Sequence, residues 1–292
     1  MVWIVGCNGM LGKEICDILL EQKISYFSSD KEIDITDYNQ LKKTALESKP
    51  SWIVNCSAYT NVDKAEDDAI AAFQINQMGV GNLATLAQDH DIPIIHFSTD
   101  YVFDGLNENP VEESEVPNPI GIYGQSKLAG ELKLQKICSK FFVIRTAWLY
   151  GKYGKNFVYT MLKLMNEKKE LKVVNDQIGT PTWTFDLASL AVKFISENSK
   201  EYGIYHFTNN GKCSWYDFAK EIYGLGKEYN LIQNSEVEVT PCTTGEFPTK
   251  AKRPKYSVLS KAKIEKVFNF KIPAWESSLR NFMKGVEKSE IT

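Results

Sequence analysis

The sequence predicts an α/β protein, a doubly wound parallel sheet followed by a smaller C-terminal α/β lobe. Three observations carry this. In the first half, short strands that are apolar throughout alternate with helix-period segments. A glycine-spaced turn, "GCNGMLG", joins the first strand to the first helix. After Trp148 the alternation loosens into shorter pieces. Strands with helices on both faces have no solvent side, so they read as continuous apolar runs rather than alternating ones.

The elements follow in order. "VWIVG" is a strand, and "LGKEICDILLEQ" places Leu11, Ile15, Ile18 and Leu19 on one helical face. "SYFSSD" is a strand, and "DYNQLKKTALESK" a helix opened by Asp37 as its cap. "SWIVNCS" is a strand, and "DAIAAFQINQMGVGNLATLAQDH" one long, mostly apolar helix. "IPIIHFST" is a strand, a helix starts at Tyr123, and "KFFVIRTAW" is a strand. Beyond it, "NFVYTMLKLMNEK" and "SWYDFAKEIYGLG" read as helices, and "LKVVN", "GIYHFT" and "VEVTPC" as short strands. The closing "FPTKAKRPKYSVLS" is rich in proline and lysine. The expected organisation is a dinucleotide-binding Rossmann domain over 1–150 and a mainly substrate-binding lobe over 151–292. A later segment near 178–205 is expected to return to the first domain.

Composition excludes several classes. The net charge of −3 offers no basic field for nucleic acid or anionic lipid. The longest apolar runs fall short of a membrane span. Met1 leads straight into a strand with no secretory pattern, so a cytoplasmic location is expected. Six cysteines, Cys7, Cys16, Cys56, Cys138, Cys213 and Cys242, are scattered without a CxxC and are expected as buried reduced thiols. His90, His96 and His206 lie far apart, and His96 sits in an apolar run as a core residue, so no metal is expected.

Gly6, Gly9 and Gly12 lie between a strand and a helix in the spacing GxxGxxG. One glycine permits the turn, one lets backbone approach a pyrophosphate, and one lets helix and strand pack closely. The helix N-terminus then presents free N–H groups to the anion. Asp30 ends the second strand where an acid meets an adenosine ribose. No arginine stands beside it for a 2′-phosphate, though Ser28 and Ser29 could help, so NADH and NADPH both remain open.

"NPIGIYGQSKLAGE" sets Tyr123 and Lys127 four residues apart at the start of a helix, on one face. A phenol keeps its proton at neutral pH, its ordinary pKa being about 10. A nearby ammonium favours the phenolate and draws that value toward neutrality. Ser98 and Thr99 end an apolar strand, at the sheet edge where parallel α/β folds bind ligands. A hydroxyl there can bond a carbonyl oxygen as it becomes an alkoxide.

These motifs, with "DITD", "NCSAYTNVDKAE", "HFSTDYVFDG", "RTAWLYG", "NFVYTML", "DQIGTPTWT", "SWYDFA" and "AKRPKYSVL", run in order along nearly the whole chain. The set resembles the extended short-chain dehydrogenase/reductase superfamily and, within it, the dTDP-4-dehydrorhamnose reductase family. The resemblance implies NADPH- or NADH-dependent reduction of the C4 ketone of dTDP-4-dehydro-6-deoxy-L-mannose, giving dTDP-L-rhamnose. It implies Tyr123 as proton donor, Lys127 as its partner and ribose ligand, and Thr99 on the reacting carbonyl. Gly9, Met10, Leu11, Asp30, Asp34, Ile35, Ala58 and Tyr59 would meet the cofactor. Thr60, Val62, Asp100, Tyr101 and Trp148 would line the sugar pocket, with Arg253 on the diphosphate. Ser57 and Met10 depart from the alanine and glutamine common in the family and remove no reacting group.

Relatives on the same frame define the alternatives. A 4,6-dehydratase needs an Asp-Glu pair after the strand-end threonine, and here Asp100 is followed by Tyr101. A 4-epimerase has no mark in this sequence. A sister 4-reductase of other stereochemistry, and a non-catalytic regulatory subunit of a methionine adenosyltransferase, stay open. So do magnesium dependence and a homodimer.

Overall fold

The computed structural model describes residues 1–234 and 237–291. Its first half runs β1 (Val2–Val5), α1 (Met10–Glu21), β2 (Tyr26–Ser29), α2 (Tyr38–Ser48), β3 (Trp52–Asn55), α3 (Val62–Ala65), α4 (Ala69–Phe73), α5 (Val80–Asp89), β4 (Ile94–Thr99), α6 (Ile122–Ile137) and β5 (Phe141–Thr146). The second half adds β6 (Leu149–Tyr150), α7 (Phe157–Glu167), β7 (Glu170–Val174), β8 (Ile178–Gly179), β9 (Thr182–Trp183), α8 (Thr184–Ser196), β10 (Gly203–His206), β11 (Cys213–Ser214), α9 (Trp215–Glu228), β12 (Glu238–Cys242), α10 (Ala262–Phe268) and α11 (Trp275–Lys284).

Six strands form one parallel sheet in the order β10-β5-β4-β3-β1-β2. Successive strand residues point to opposite faces. Val2 and Ile4 therefore join the core under α1 and α8, while Trp3 and Val5 join the one under α2 and α5. Both faces are dry, which is why the strands are apolar throughout. Leu11, Ile15, Ile18 and Leu19 are all buried in the first of these cores. The Asp37 carboxylate accepts the N–H groups of Asn39 and Gln40, as an N-cap should.

Helix α8 and strand β10 return to this sheet, α8 against α1 and β10 beside β5. Outside this sheet, β6 pairs with β9, and β8 pairs with β11. A separate core gathers α7, α9 and α11 around Tyr150, Phe218 and Phe282. Helices α8, α10 and α11 have no counterpart in the sequence reading.

The segment read as one long helix is helical from Ala69 to Asp89, but residues Gln74–Gly79 form a π-helical stretch. The Asn76 side chain is the cause we identify. It accepts the Tyr59 N–H at 2.9 Å and donates to the Tyr59 carbonyl at 3.1 Å and to Ser126 Oγ at 2.9 Å. One extra residue in the turn aims that amide at two other elements. Such bulges cluster at functional sites.

Helix α6 is tied to the sheet by a buried ion pair. Arg145 on β5 donates from Nε and Nη2 to the Glu131 carboxylate, at 2.7 Å for the shortest contact, with both side chains at most 2% exposed. Phe103 covers the guanidinium at 5.1 Å. Removing one partner strands a charge in a medium that cannot solvate it. Arg145→Met should lower stability by about 3–5 kcal/mol in chemical denaturation, and adding Glu131→Met should recover most of that loss.

Candidate active site

The carboxyl ends of β1, β3, β4 and β5 open into one cleft of about 540 Å³. The strand order reverses between β1 and β3, the switch point where such sheets bind ligands. Gly6 sits there with φ +79°, in the left-handed region. A Cβ on it would lie 2.6 Å from the Ser57 nitrogen, so the turn after β1 rests directly on the turn after β3. A Cβ on Gly12 would lie 2.4 Å from the Gly6 carbonyl oxygen. Helix α1 begins at this turn without a side-chain cap and without an acid in its first turn. Its leading N–H groups face no competing carboxylate, which suits a pyrophosphate.

Gly9, Met10, Leu11, Ala58, Thr60, Val62, Thr99, Asp100, Tyr101, Tyr123, Lys127 and Trp148 all line this cleft. Gly6 and Gly12 shape it from behind. The remaining expected residues lie outside its lining. Ile35 is buried. Asp34 Oδ1 is engaged by the N–H and hydroxyl of Thr36. Asp30 follows β2, its N–H held by Glu32 at 2.7 Å. The Ser29 hydroxyl is taken by the Trp3 indole N–H at 2.9 Å, leaving Ser28 as the exposed hydroxyl of that pair. Tyr59 is fixed through its backbone by Asn76.

Within the cleft, Thr99 is the hub. Its hydroxyl accepts the Tyr101 N–H at 3.2 Å and donates to Asp100 Oδ1 at 3.0 Å. It also shares a hydrogen bond with the Tyr123 phenol. Burial raises the Asp100 carboxyl to about 6, against which its hydrogen bonds to Ser257 and Thr99 act. The Tyr101 ring meets Tyr123 edge-on at 5.6 Å.

Tyr123 and Lys127 face the same cleft without the electrostatic relation their spacing implied. Lys127 Nζ donates to the Phe97 carbonyl at 2.7 Å and is 2% exposed. Burial lowers its ammonium to about 8, while the Glu131 charge pulls upward. Burial pushes the Tyr123 phenol well above its ordinary value, with the Thr99 hydrogen bond opposing. Desolvation, and not the expected downward pull of the lysine, sets the direction. The phenol is held in its protonated form and is not a phenolate.

Sequence reasoning missed three supports. Asn76 locks Tyr59 to Ser126, whose hydroxyl donates to the Tyr123 carbonyl at 2.8 Å. Glu66 accepts the Ile122 N–H at 2.9 Å and so caps α6 from another element. A polar residue inside an apolar helix was the available signal for Asn76, and nothing local marked Glu66. His96 is fully buried, with Nδ1 3.1 Å from the Asn55 amide.

Arg253 lies beyond the cleft wall. It donates to the Tyr101 hydroxyl at 3.2 Å and to Asp63 at 3.1 Å. It also lines a second pocket of about 550 Å³, formed with Phe157, Met161, Leu171, Val173, Trp215 and Phe247. The pocket joins these apolar side chains to the cations Arg253, Lys168 and Lys172 and to the acids Glu170 and Glu246, a lining that can take a base bearing phosphates.

Comparison with known proteins agrees along the full chain. The family model described as RmlD substrate binding domain matches residues 1–288. A dTDP-4-dehydrorhamnose reductase from Aggregatibacter actinomycetemcomitans is 39% identical, over 95% of this chain and 96% of the relative. The crystal structure of a dTDP-4-dehydrorhamnose reductase from Clostridium acetobutylicum ATCC 824 superposes with a TM-score of 0.91 at 44% identity, covering 97% of this chain and 98% of that one. The enzyme of the same name from Bacillus anthracis str. Ames, solved in complex with NADP, also gives 0.91, at 40% identity over 98% and 99% of the two chains. With its cleft at the switch point and these matches end to end, the chain belongs to the RmlD substrate binding domain family, the family of the dTDP-4-dehydrorhamnose reductases.

Proposed function

We propose that this cleft reduces the C4 ketone of dTDP-4-dehydro-6-deoxy-L-mannose to dTDP-L-rhamnose, with NADPH or NADH as reductant. The observation that carries the reading is the meeting of Thr99, Tyr123 and Lys127 in one cleft opposite the glycine turn. The nucleotide cofactor fits that turn because Gly9 lines the cleft without a side chain and α1 opens there with no side-chain cap and no acid in its first turn. When bound, it supplies the hydride that reaches C4.

The chain's own groups handle the rest. Met10 and Leu11 offer backbone N–H groups to the pyrophosphate beside Gly9, whose own N–H is held by the Gly6 carbonyl; Asp30 meets the ribose, and Ala58 and Tyr59 form the far wall. Thr99 bonds the C4 oxygen and Tyr123 gives it a proton, so ketone, hydride and proton balance to the alcohol. Burial keeps the phenol protonated, the form the reduction needs, while its raised pKa opposes transfer, so the positive charge of Lys127 has to lower that cost as the proton leaves. Lys127 keeps a positive charge beside the ribose and steadies the phenolate left behind. Thr60, Val62, Asp100, Tyr101 and Trp148 enclose the sugar. The apolar pocket takes the thymine, and Arg253 exchanges Asp63 for the diphosphate. Residues 1–150 with the returning α8 and β10 would form the cofactor half, and most of 151–292 the substrate half.

Among the described residues Asp100 is the only carboxylate lining the cleft, which speaks against a dehydratase needing two. The intact acid, lysine and threonine speak against a non-catalytic subunit. A sister 4-reductase would share every one of these features and differ only in product.

Purified protein should oxidise NADPH or NADH only when a dTDP-4-keto-6-deoxy sugar and a 3,5-epimerase are supplied. NMR of the product distinguishes L-rhamnose from another stereoisomer, and no cofactor consumption would refute the assignment. Tyr123→Phe should bind cofactor normally and lose at least about two orders of magnitude in kcat. In a pH series, kcat/KM should fall as pH rises through about 8, where Lys127 loses its proton. Lys127→Arg, charged throughout, should remove that fall.

A further inference from the structure

Trp148 lines the catalytic cleft, and Trp215 lines the apolar pocket. Their rings stack at 3.6 Å between centroids with 13° between planes, the only Trp–Trp stack among the described residues. The partition between the two spaces therefore includes this pair of indoles, beside the Tyr101–Arg253 contact. Trp148 holds φ +49°, a left-handed conformation that a bulky side chain avoids. Such a backbone persists only where its surroundings impose it.

Three contacts impose it here. Trp215 covers one ring face. Gly179 leaves the ring edge its space, because a Cβ there would lie 2.6 Å from Cε2 and Cζ2 of Trp148. The Thr182 N–H donates to the Trp148 carbonyl at 3.1 Å. Trp215 is itself rigid. It is the first residue of α9, held inside the Ser214–Asp217 capping box, and packs on Phe157 at 4.6 Å.

We propose that Trp215 and Gly179 are positioning residues that seat Trp148 as the roof of the cleft. Through the stack, filling of the apolar pocket then sets the geometry at the reacting carbon. This rests on the reading that the apolar pocket takes the nucleotide. A ligand in that pocket presses on Trp215, and Trp215 can shift only with the ring it covers. Nucleotide contacts distant from C4 would thus act on turnover as well as on affinity, which is how remote binding energy serves chemistry.

The test uses Trp215→Leu and Gly179→Ala, read by the exciton couplet of the stacked indoles in circular dichroism and by steady-state kinetics. Trp215→Leu should abolish the couplet and lower kcat about ten- to a hundredfold, with cofactor affinity unchanged. A raised KM at unchanged kcat would make Trp215 only a wall of the nucleotide pocket and overturn the proposal. Gly179→Ala should disturb the couplet and lower kcat while leaving dTDP affinity intact. An unchanged couplet and kcat in that variant would equally overturn it. With the wild-type protein, dTDP alone should alter the couplet, and binding without such a change refutes the coupling. No dTDP binding at all refutes the nucleotide reading and with it the coupling. The seating of Trp148 is then decided by the couplet of Gly179→Ala.

Discussion

The chemistry proposed for Tyr123 and Lys127 requires that α6 stay where it is, and α6 is seated by contacts too close to leave it choice. A Cβ at Gly124 would stand 2.1 Å from the Tyr101 carbonyl oxygen, and one at Gly130 would stand 2.0 Å from that of Asn76. Two glycines let this helix lie against backbone rather than side chains. One turn beyond Lys127, Glu131 is clamped by Arg145 from the strand beneath. Glu66 holds its first turn. The helix is therefore fixed at its start, along its length and from below. Each fastening comes from a different element of the sheet lobe, and the reacting groups inherit that rigidity.

Seating α6 this deeply has an electrostatic consequence. Lys127 and Arg145 are two buried cations flanking one carboxylate, Glu131. The bidentate contact commits Glu131 to Arg145, so Lys127 keeps a carbonyl partner and only part of a counter-charge. His96 and Cys56, which face it from the sheet, are neutral: burial drives His96 far below its ordinary value and raises the Cys56 thiol. The lysine is left near the midpoint of its titration at mildly alkaline pH, and the phenol stays protonated. Burial, not the lysine, sets the resting state of the tyrosine.

Much of this was legible in the sequence, because the informative signals were local. Apolar strands, the glycine turn, Asp37 as a cap and the strand-end threonine each depend on neighbours a few residues away. The π-helical stretch, the Glu66 cap and the indole stack depend on partners 17 to 67 positions distant. Tertiary proximity of that kind leaves no periodic trace in one chain. The tyrosine–lysine relation was read from spacing, which places two side chains on one face but does not measure solvent. Desolvation belongs to the assembled fold, and here it reversed the sign of the expected shift.

The same competition operates at Thr99, whose hydroxyl has one proton to give. It goes to Asp100 Oδ1, while the oxygen's lone pairs meet the Tyr101 N–H and the Tyr123 phenol. To bond a ketone oxygen, Thr99 must turn that proton away from the carboxylate. An ionised Asp100 resists the turn, whereas a protonated one can donate to Thr99 and free its hydrogen. A sugar hydroxyl donating to Asp100 would do the same work by satisfying the carboxylate. Substrate with the right hydroxyl in reach of Asp100 would then organise the donor that meets its own carbonyl. A keto-sugar lacking that hydroxyl would find Thr99 already engaged.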